Sequence, residues 1–183
     1  MQLMLDIAPL REATCVIVEH HYLHRGRTMA QLAYWILVDG AVAGVLLFAY
    51  PRMSATYQGH HPMRLLELAR MWVDPRYQGQ TVTDSKRRTH SRPLASQAIG
   101  QALRRIRRDW AAKYPHLPPV EAIVSWADRE HHEGTIYRAS NFVECGISGG
   151  AMHGSRLRNN GGHDQLNPDY RHEKTAFIYH WKR

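Results

Sequence analysis

Two apolar runs, Gln31 to Val38 and Ala41 to Tyr50, are separated only by Asp39-Gly40. Asp-Gly tolerates the positive backbone angles of a two-residue turn, so the pair predicts a tight antiparallel hairpin. A chain built on such a hairpin must place its other strands around it. Met1 to Ile7 alternates weakly and reads as a short strand. Arg64 to Val73 reads as a long strand that Asp74-Pro75 stops. Val120 to Trp126, Phe142 to Ile147 and Lys174 to Trp181 read as further strands.

Three helices fit between them. Pro9 opens the first, where its missing N–H costs nothing. From Leu10 to His21 apolar residues stand at 10, 13, 16 and 17, and Gly26 is the expected stop. The second runs from Pro93 to about Lys113, with Leu94, Ala98, Ile99, Ala102, Leu103, Ile106 and Trp110 on one stripe. Arg104, Arg105, Arg107 and Arg108 cover its other side. Gly134 to Asn141 is a short helix with Ile136, Ala139 and Phe142 expected to face inward. The order predicts one α/β (α+β) domain, a mixed and mostly antiparallel central sheet flanked by helices. Gly79 to Arg92 and Gly149 to Asp169 read as long polar loops.

Charge is the first functional clue. The chain has 24 Lys and Arg against 16 Asp and Glu, a net charge of +8 with His neutral, and a pI near 9.8. That balance favours a polyanion, nucleic acid above all. Lys86, Arg87 and Arg88 in the first polar loop, Arg104 and Arg108 on the long helix, and Arg156 and Arg158 are the candidate phosphate contacts. No apolar run reaches the roughly 18 residues that span a bilayer. The N-terminus has no cationic start, and Cys15 and Cys145 make no disulfide framework, so a soluble cytoplasmic protein is expected. Thirteen histidines invite metal binding, but no spacing stands out as a zinc site.

The stretch richest in chemistry is Val124-Ser125-Trp126-Ala127-Asp128, followed by His131 to Phe142. A buried strand ends in polar residues and a short helix begins close behind, the kind of strand end where α/β sheets bind ligands. Ser125 can donate or accept, Asp128 can take a proton, and Tyr137 can give one to a leaving group. Taken singly, each has a plainer reading: a strand-end hydroxyl, a helix cap and a packed phenol. Tyr22, Tyr57, Trp72 and Trp126 are candidates to stack on a flat ligand, with ordinary core packing as the plainer reading.

The element order and Ile136-Tyr137-Arg138-Ala139-Ser140-Asn141-Phe142 resemble the GNAT acyltransferase fold. That resemblance implies acyl-CoA as donor and Tyr137 as the acid that protonates departing thiolate. One departure matters: Arg76-Tyr77-Gln78-Gly79-Gln80-Thr81 matches only the first half of that family's phosphate loop, and more chain than usual precedes the helix. A helix N-terminus still suits an anion.

His21-Tyr22-Leu23-His24, Leu68-Ala69-Arg70, His90-Ser91-Arg92, Ser125-Trp126-Ala127-Asp128 and Gly134-Thr135-Ile136-Tyr137 narrow the resemblance to the phage Mom DNA-modification proteins. This resemblance implies modification of adenine N6 in double-stranded DNA with a carbamoylmethyl-type group, starting from acetyl-CoA or another acyl-CoA. The catalytic residues it implies are Ser125, Asp128, Tyr137 and Tyr22. For the cofactor it implies Met71, Trp72 and Val73 together with His90, Ser91 and Arg92. Because that product is not a plain acyl transfer, a redox metal such as iron, held by His21, Tyr22 and Asp128, is a further expectation. The rival readings are a conventional N-acetyltransferase for a small amine, protein or tRNA, and a nucleic-acid-binding module without catalysis.

Overall fold

Asp39 and Gly40 both take positive φ, 49° and 83°, and close the expected hairpin. It joins β2 (Ala30–Val38) to β3 (Ala41–Ala49). The computed structural model describes residues 2–27, 29–53, 55–78, 82–83, 89–90, 93–148 and 173–181. Around the hairpin lie β1 (Leu3–Ile7), β4 (Leu65–Val73), β7 (Ala122–Asp128), β8 (Val143–Ser148) and β9 (Lys174–His180). They form one seven-stranded sheet in the order β1-β2-β3-β4-β7-β9-β8. Every neighbouring pair is antiparallel except β4 and β7, which run parallel.

The two faces of the sheet are covered by different helices. On one face α2 (Leu94–Lys113) buries the whole predicted stripe, from Leu94 through Ile106 to Trp110. Its partners include Leu46, Phe48, Leu66, Leu68 and Ile123. On the other face α1 (Leu10–His20) packs Ala13 and Ile17 against Ala33, Val45 and Leu47. Burial of these apolar surfaces is what holds the layers together.

Local differences from the sequence reading have identifiable causes. α1 ends at His20 and not near Gly26, because His21 turns to extended backbone and its N–H closes on Ile17 O. β7 is displaced to Ala122–Asp128, so Asp128 belongs to the strand. α3 is only Thr135–Ala139, and Ala139 is exposed; Gly134 in the left-handed region delays its start, and Asn141, also at positive φ, ends the turn after it. Arg105 is not part of the solvated face of α2. Its Nε donates to Asp109 at 2.5 Å and its Nη1 to Leu5 O at 2.7 Å. Within the first polar loop, β5 (Val82–Thr83) and β6 (Thr89–His90) pair antiparallel. Among the described residues no helix is long and apolar enough to cross a membrane.

Candidate active site

The site begins where β4 and β7 part. Their ladder covers Leu65↔Ala122, Leu66↔Ile123 and Glu67↔Val124 and then stops, though both strands continue. A β-bulge accompanies the separation: Phe48 faces Leu68 and Leu47 faces Arg70, leaving Ala69 unopposed. The bulge changes which side chains point to which face. Leu66 and Leu68 pack on the α2 side before it, as do Met71 and Val73 after it, while Trp72 packs on the α1 side. Bulges commonly re-aim side chains beside active sites in this way. Ser125 repairs the broken ladder: its hydroxyl donates to the Leu68 carbonyl at 2.9 Å.

The separation opens a cavity of about 610 Å³, in the size range of small-molecule sites. Leu68 to Val73 form one wall, and Trp126 stands on the β7 side. Pro93, Leu94 and Ala95 bring the α2 N-terminus to it. The first turn of α2 has no acidic residue, and among the described residues no side chain caps it, so its amides can face an anion.

Tyr137 on α3 also lines the cavity. Its ring stacks on Phe177 at 5.1 Å and meets Phe142 edge-on at 5.7 Å. Gly134 makes this placement possible, since a Cβ there would lie 2.3 Å from Phe177 Cζ. Burial pushes the Tyr137 phenol above its usual range, a hydrogen bond with Ser125 opposes that, the Glu67 charge adds to it, and Arg70 opposes it. The phenol therefore keeps its proton at neutral pH.

Beneath the cavity lies a buried charge cluster of which the motif reading touched only Arg70. Arg27 donates to Glu67, and both side chains are almost fully buried. Arg70 is buried beside them and donates through Nη1 to Ala69 O at 2.7 Å. Burial raises the Glu67 carboxyl, against the pull of Arg27, Arg70 and Arg52. The signal available in the sequence was a lone Glu inside an apolar strand, a position where an unpaired carboxylate is costly.

Rings crowd the mouth. His20 stacks on Trp72 at 4.3 Å, and His21 stacks on Tyr22 at 4.4 Å. Tyr22 also meets His131 at 4.8 Å and His132 at 5.6 Å. At 41% exposure Tyr22 is a wall of the cavity and not core. Burial, with His131 beside it, lowers the His132 imidazole against the pull of Asp128, so His132 is neutral at pH 7.

Residues 2–180 match the Mom protein family. The chain is a member of the Mom family. No curated protein sequence matches it significantly. Solved structures resembling this Mom-family chain are acetyltransferases. One is a Bacillus subtilis acetyltransferase in complex with CoA, at 12% identity and TM-score 0.54, covering 98% of this chain and 99% of that one. A GNAT-family acetyltransferase from Bacillus cereus gives 15% identity and TM-score 0.51, with 99% of both chains covered. Another, from Elizabethkingia anophelis with acetyl-CoA bound, gives 11% identity and TM-score 0.50, with 98% of both covered. At these identities the likeness establishes the GNAT fold.

The structure distributes the expected Mom site residues unevenly. Tyr137 and Ser125 meet, and Tyr22, Met71, Trp72 and Val73 line the same cavity. Asp128 lies 2% exposed at the end of β7, where its Oδ1 accepts the Glu130 amide at 3.1 Å and its carbonyl accepts the amides of His131 and His132. It shapes the turn that carries both imidazoles to the cavity. Tyr57 lies near Trp126, with ring centroids 6.3 Å apart. Arg104 and Arg108 are exposed on α2, Arg108 reaching Asp109 at 3.3 Å. His90 falls in β6. Lys86, Arg87, Arg88, Ser91, Arg92, Arg156 and Arg158 lie outside the described residues.

The expected iron finds no support. Among the described residues no group of three or more His, Cys, Asp or Glu side chains gathers to hold a metal ion. His21 Nδ1 accepts the Leu23 amide at 3.1 Å, and Asp128 Oδ1 is committed to its turn. No step below passes through a metal.

Proposed function

We propose that this Mom-family protein is an acyl-CoA-dependent transferase that delivers an acyl-CoA-derived unit to adenine N6 in double-stranded DNA. The observation that carries the reading is the opening between β4 and β7, with Tyr137 and Ser125 at its inner end. An extended thioester arm fits along the unpaired edge of β4 as an added strand would. Its phosphates then fall near the N-terminus of α2. Tyr137 donates its proton to the departing thiolate, and Ser125 orients the phenol. Tyr22, His131 and His132 form the acceptor side, with Asp128 holding their turn in place.

DNA as acceptor is supported by the net charge of +8 and by Arg104 and Arg108 on the surface. A duplex cannot enter a 610 Å³ cavity, so the adenine swings out of the stack, at a cost of a few kcal/mol. The product implied by the Mom resemblance is a carbamoylmethyl-type adenine, in which N6 bears a CH2 and not a carbonyl, so both that N6–CH2 linkage and the amide nitrogen need chemistry beyond plain acyl transfer.

The test is mass analysis of nucleosides from host DNA after expression. A modified adenine is expected with the wild type. Tyr137→Phe should lower its yield by about 100-fold or more, while DNA binding and the thermal shift with acetyl-CoA persist. Unmodified DNA alongside acetylation of small amines would move the protein to the conventional N-acetyltransferases. Full modification by Tyr137→Phe would remove the phenol from the mechanism.

A further inference from the structure

At the end of β7 away from the cavity, a second group of titratable side chains comes together. Glu121 immediately precedes β7, and His180, the last residue of β9, stands opposite Ala122 in the antiparallel ladder. His60 reaches the same point from the segment that follows β3. It closes a tight turn in which Gln58 and Gly59 take positive φ, 50° and 81°. Tyr57 and His60 exchange both backbone hydrogen bonds across that turn, at 3.0 and 2.9 Å. The Glu121 amide donates to Arg64 O at 2.8 Å, which fixes the base of its side chain. His60 Nδ1 meets Glu121 Oε2 at 3.0 Å, and His60 Nε2 lies 3.3 Å from His180 Nδ1.

We propose that His60 and His180 hold a borderline divalent cation such as Zn(II), with Glu121 orienting His60 from behind and water completing the shell. The proposal is independent of the transfer reading above. A carboxylate only accepts, so His60 donates from Nδ1, and its neutral ring presents a lone pair at Nε2. Carboxylates behind metal-ligating imidazoles fix the tautomer in this way and raise the basicity of the ligand. Zn–N bonds of about 2.0–2.1 Å at a tetrahedral angle set two ligand nitrogens about 3.3–3.4 Å apart, which is the separation found between these two rings. Without the ion, His180 Nδ1 donates to His60 Nε2. On binding, that proton moves to His180 Nε2, small ring rotations aim both lone pairs at one point, and no proton leaves the site.

The surroundings suit a cation of this class. His60 and Arg64 hold the Glu121 carboxyl below its ordinary range, so it is charged. Burial, with His60 beside it, lowers the His180 imidazole, so it is neutral at pH 7. His180 is exposed, which leaves room for water ligands. Imidazole nitrogen suits Zn(II), Cu(II) or Ni(II), and not Mg(II) or Ca(II). With two protein ligands the site stays below the three-residue clusters sought among the described residues, so the ion is exchangeable. It cross-links the Tyr57–His60 turn to β9. That turn belongs to the segment whose Met53 and Tyr57 pack on Leu65, Val124 and Ile178. The two histidines stand 120 positions apart, which is why no sequence spacing announced them.

The experiment titrates tag-free protein with zinc chloride by calorimetry and follows thermal unfolding, with magnesium chloride as the control. Wild type is compared with His60→Gln, His180→Gln and Glu121→Gln, none of which lines the cavity. Other histidines also take zinc, so the readout is the difference between wild type and variants. One equivalent per chain should disappear in each His variant, together with its share of the zinc-dependent rise in Tm. Glu121→Gln should keep that equivalent but bind it about 10-fold or more weakly. Because a substitution can disturb the turn itself, ring nitrogen NMR shifts of the wild type give a second measurement. Zinc should move His60 Nε2 and His180 Nδ1. Unchanged zinc binding in both His variants, shifts confined to other histidines, or an equal response to magnesium would overturn the site. Saturation only at millimolar zinc, the mark of an adventitious ion only, would do the same.

Discussion

Gly134 shows how much one residue can decide. It sits at φ 77°, and its missing Cβ leaves room for Phe177. Phe177 in turn is the surface on which Tyr137 stacks. Gly134→Ala strains the backbone and forces Phe177 aside, which should destabilise the fold by about 1–3 kcal/mol. The same shift should impair transfer, because the phenol loses its support. Urea unfolding and thiol release measured on the same preparation would check both, and an unchanged midpoint would show that the ring moves aside freely. His21 is a contrasting case: its Nδ1 accepts the Leu23 amide, so much of its role is to close the turn after α1.

At the scale of elements, the site is made by two strands that stop pairing. Parallel strands leave unsatisfied N–H and C=O groups where they separate, and buried groups of this kind need partners. The Ser125 hydroxyl supplies one to the Leu68 carbonyl. Ser125→Ala should therefore cost about 1–2 kcal/mol and let β4 and β7 shift at the cavity's inner end. The signature is a loss of stability together with a raised KM for acetyl-CoA, by denaturant melts and steady-state kinetics. A stability loss with unaltered kinetics would mean that Ser125 only mends the ladder. The stripe on α2 was legible because a helix repeats its inward face every few residues, and all seven predicted positions are buried. Ala139 was misread because the same periodicity, applied to a helix of five residues, has too few turns to set a face.

For the whole molecule, acidic stability depends on carboxylates paired with cationic neighbours. Arg76, through its guanidinium and its amide, holds the Asp74 carboxyl below its ordinary range, and His60 and Arg64 do the same for Glu121. A depressed folded pKa adds stability above the unfolded value, which is lost as pH falls through the folded one. Glu67 has the opposite sign: raised by burial, it favours the folded state on the acidic side and loses that contribution as pH rises. Between about pH 5 and pH 1 the wild type should weaken. Asp74→Asn and Glu121→Gln should each flatten that decline in urea melts, and parallel curves for wild type and variants would count against these pairs.

Much of the architecture follows from local rules that a linear chain displays openly. Asp39-Gly40 dictates a hairpin, the α2 stripe dictates a buried face, and Asp74-Pro75 stops β4, because turns and periodicity act over a few neighbouring residues. The short motifs around Tyr22, Ser125 and Tyr137 pointed to the Mom family for the same reason. Tertiary structure alone decided that β4 and β7 diverge after Glu67, that a bulge at Ala69 re-aims the residues beyond it, and that Arg27 reaches across forty positions to Glu67. Tertiary structure also placed Asp128 in a turn and left no metal cluster among the described residues. Those outcomes depend on strand pairing and on the cost of burying charge, which are settled between distant segments only once the chain has closed on itself.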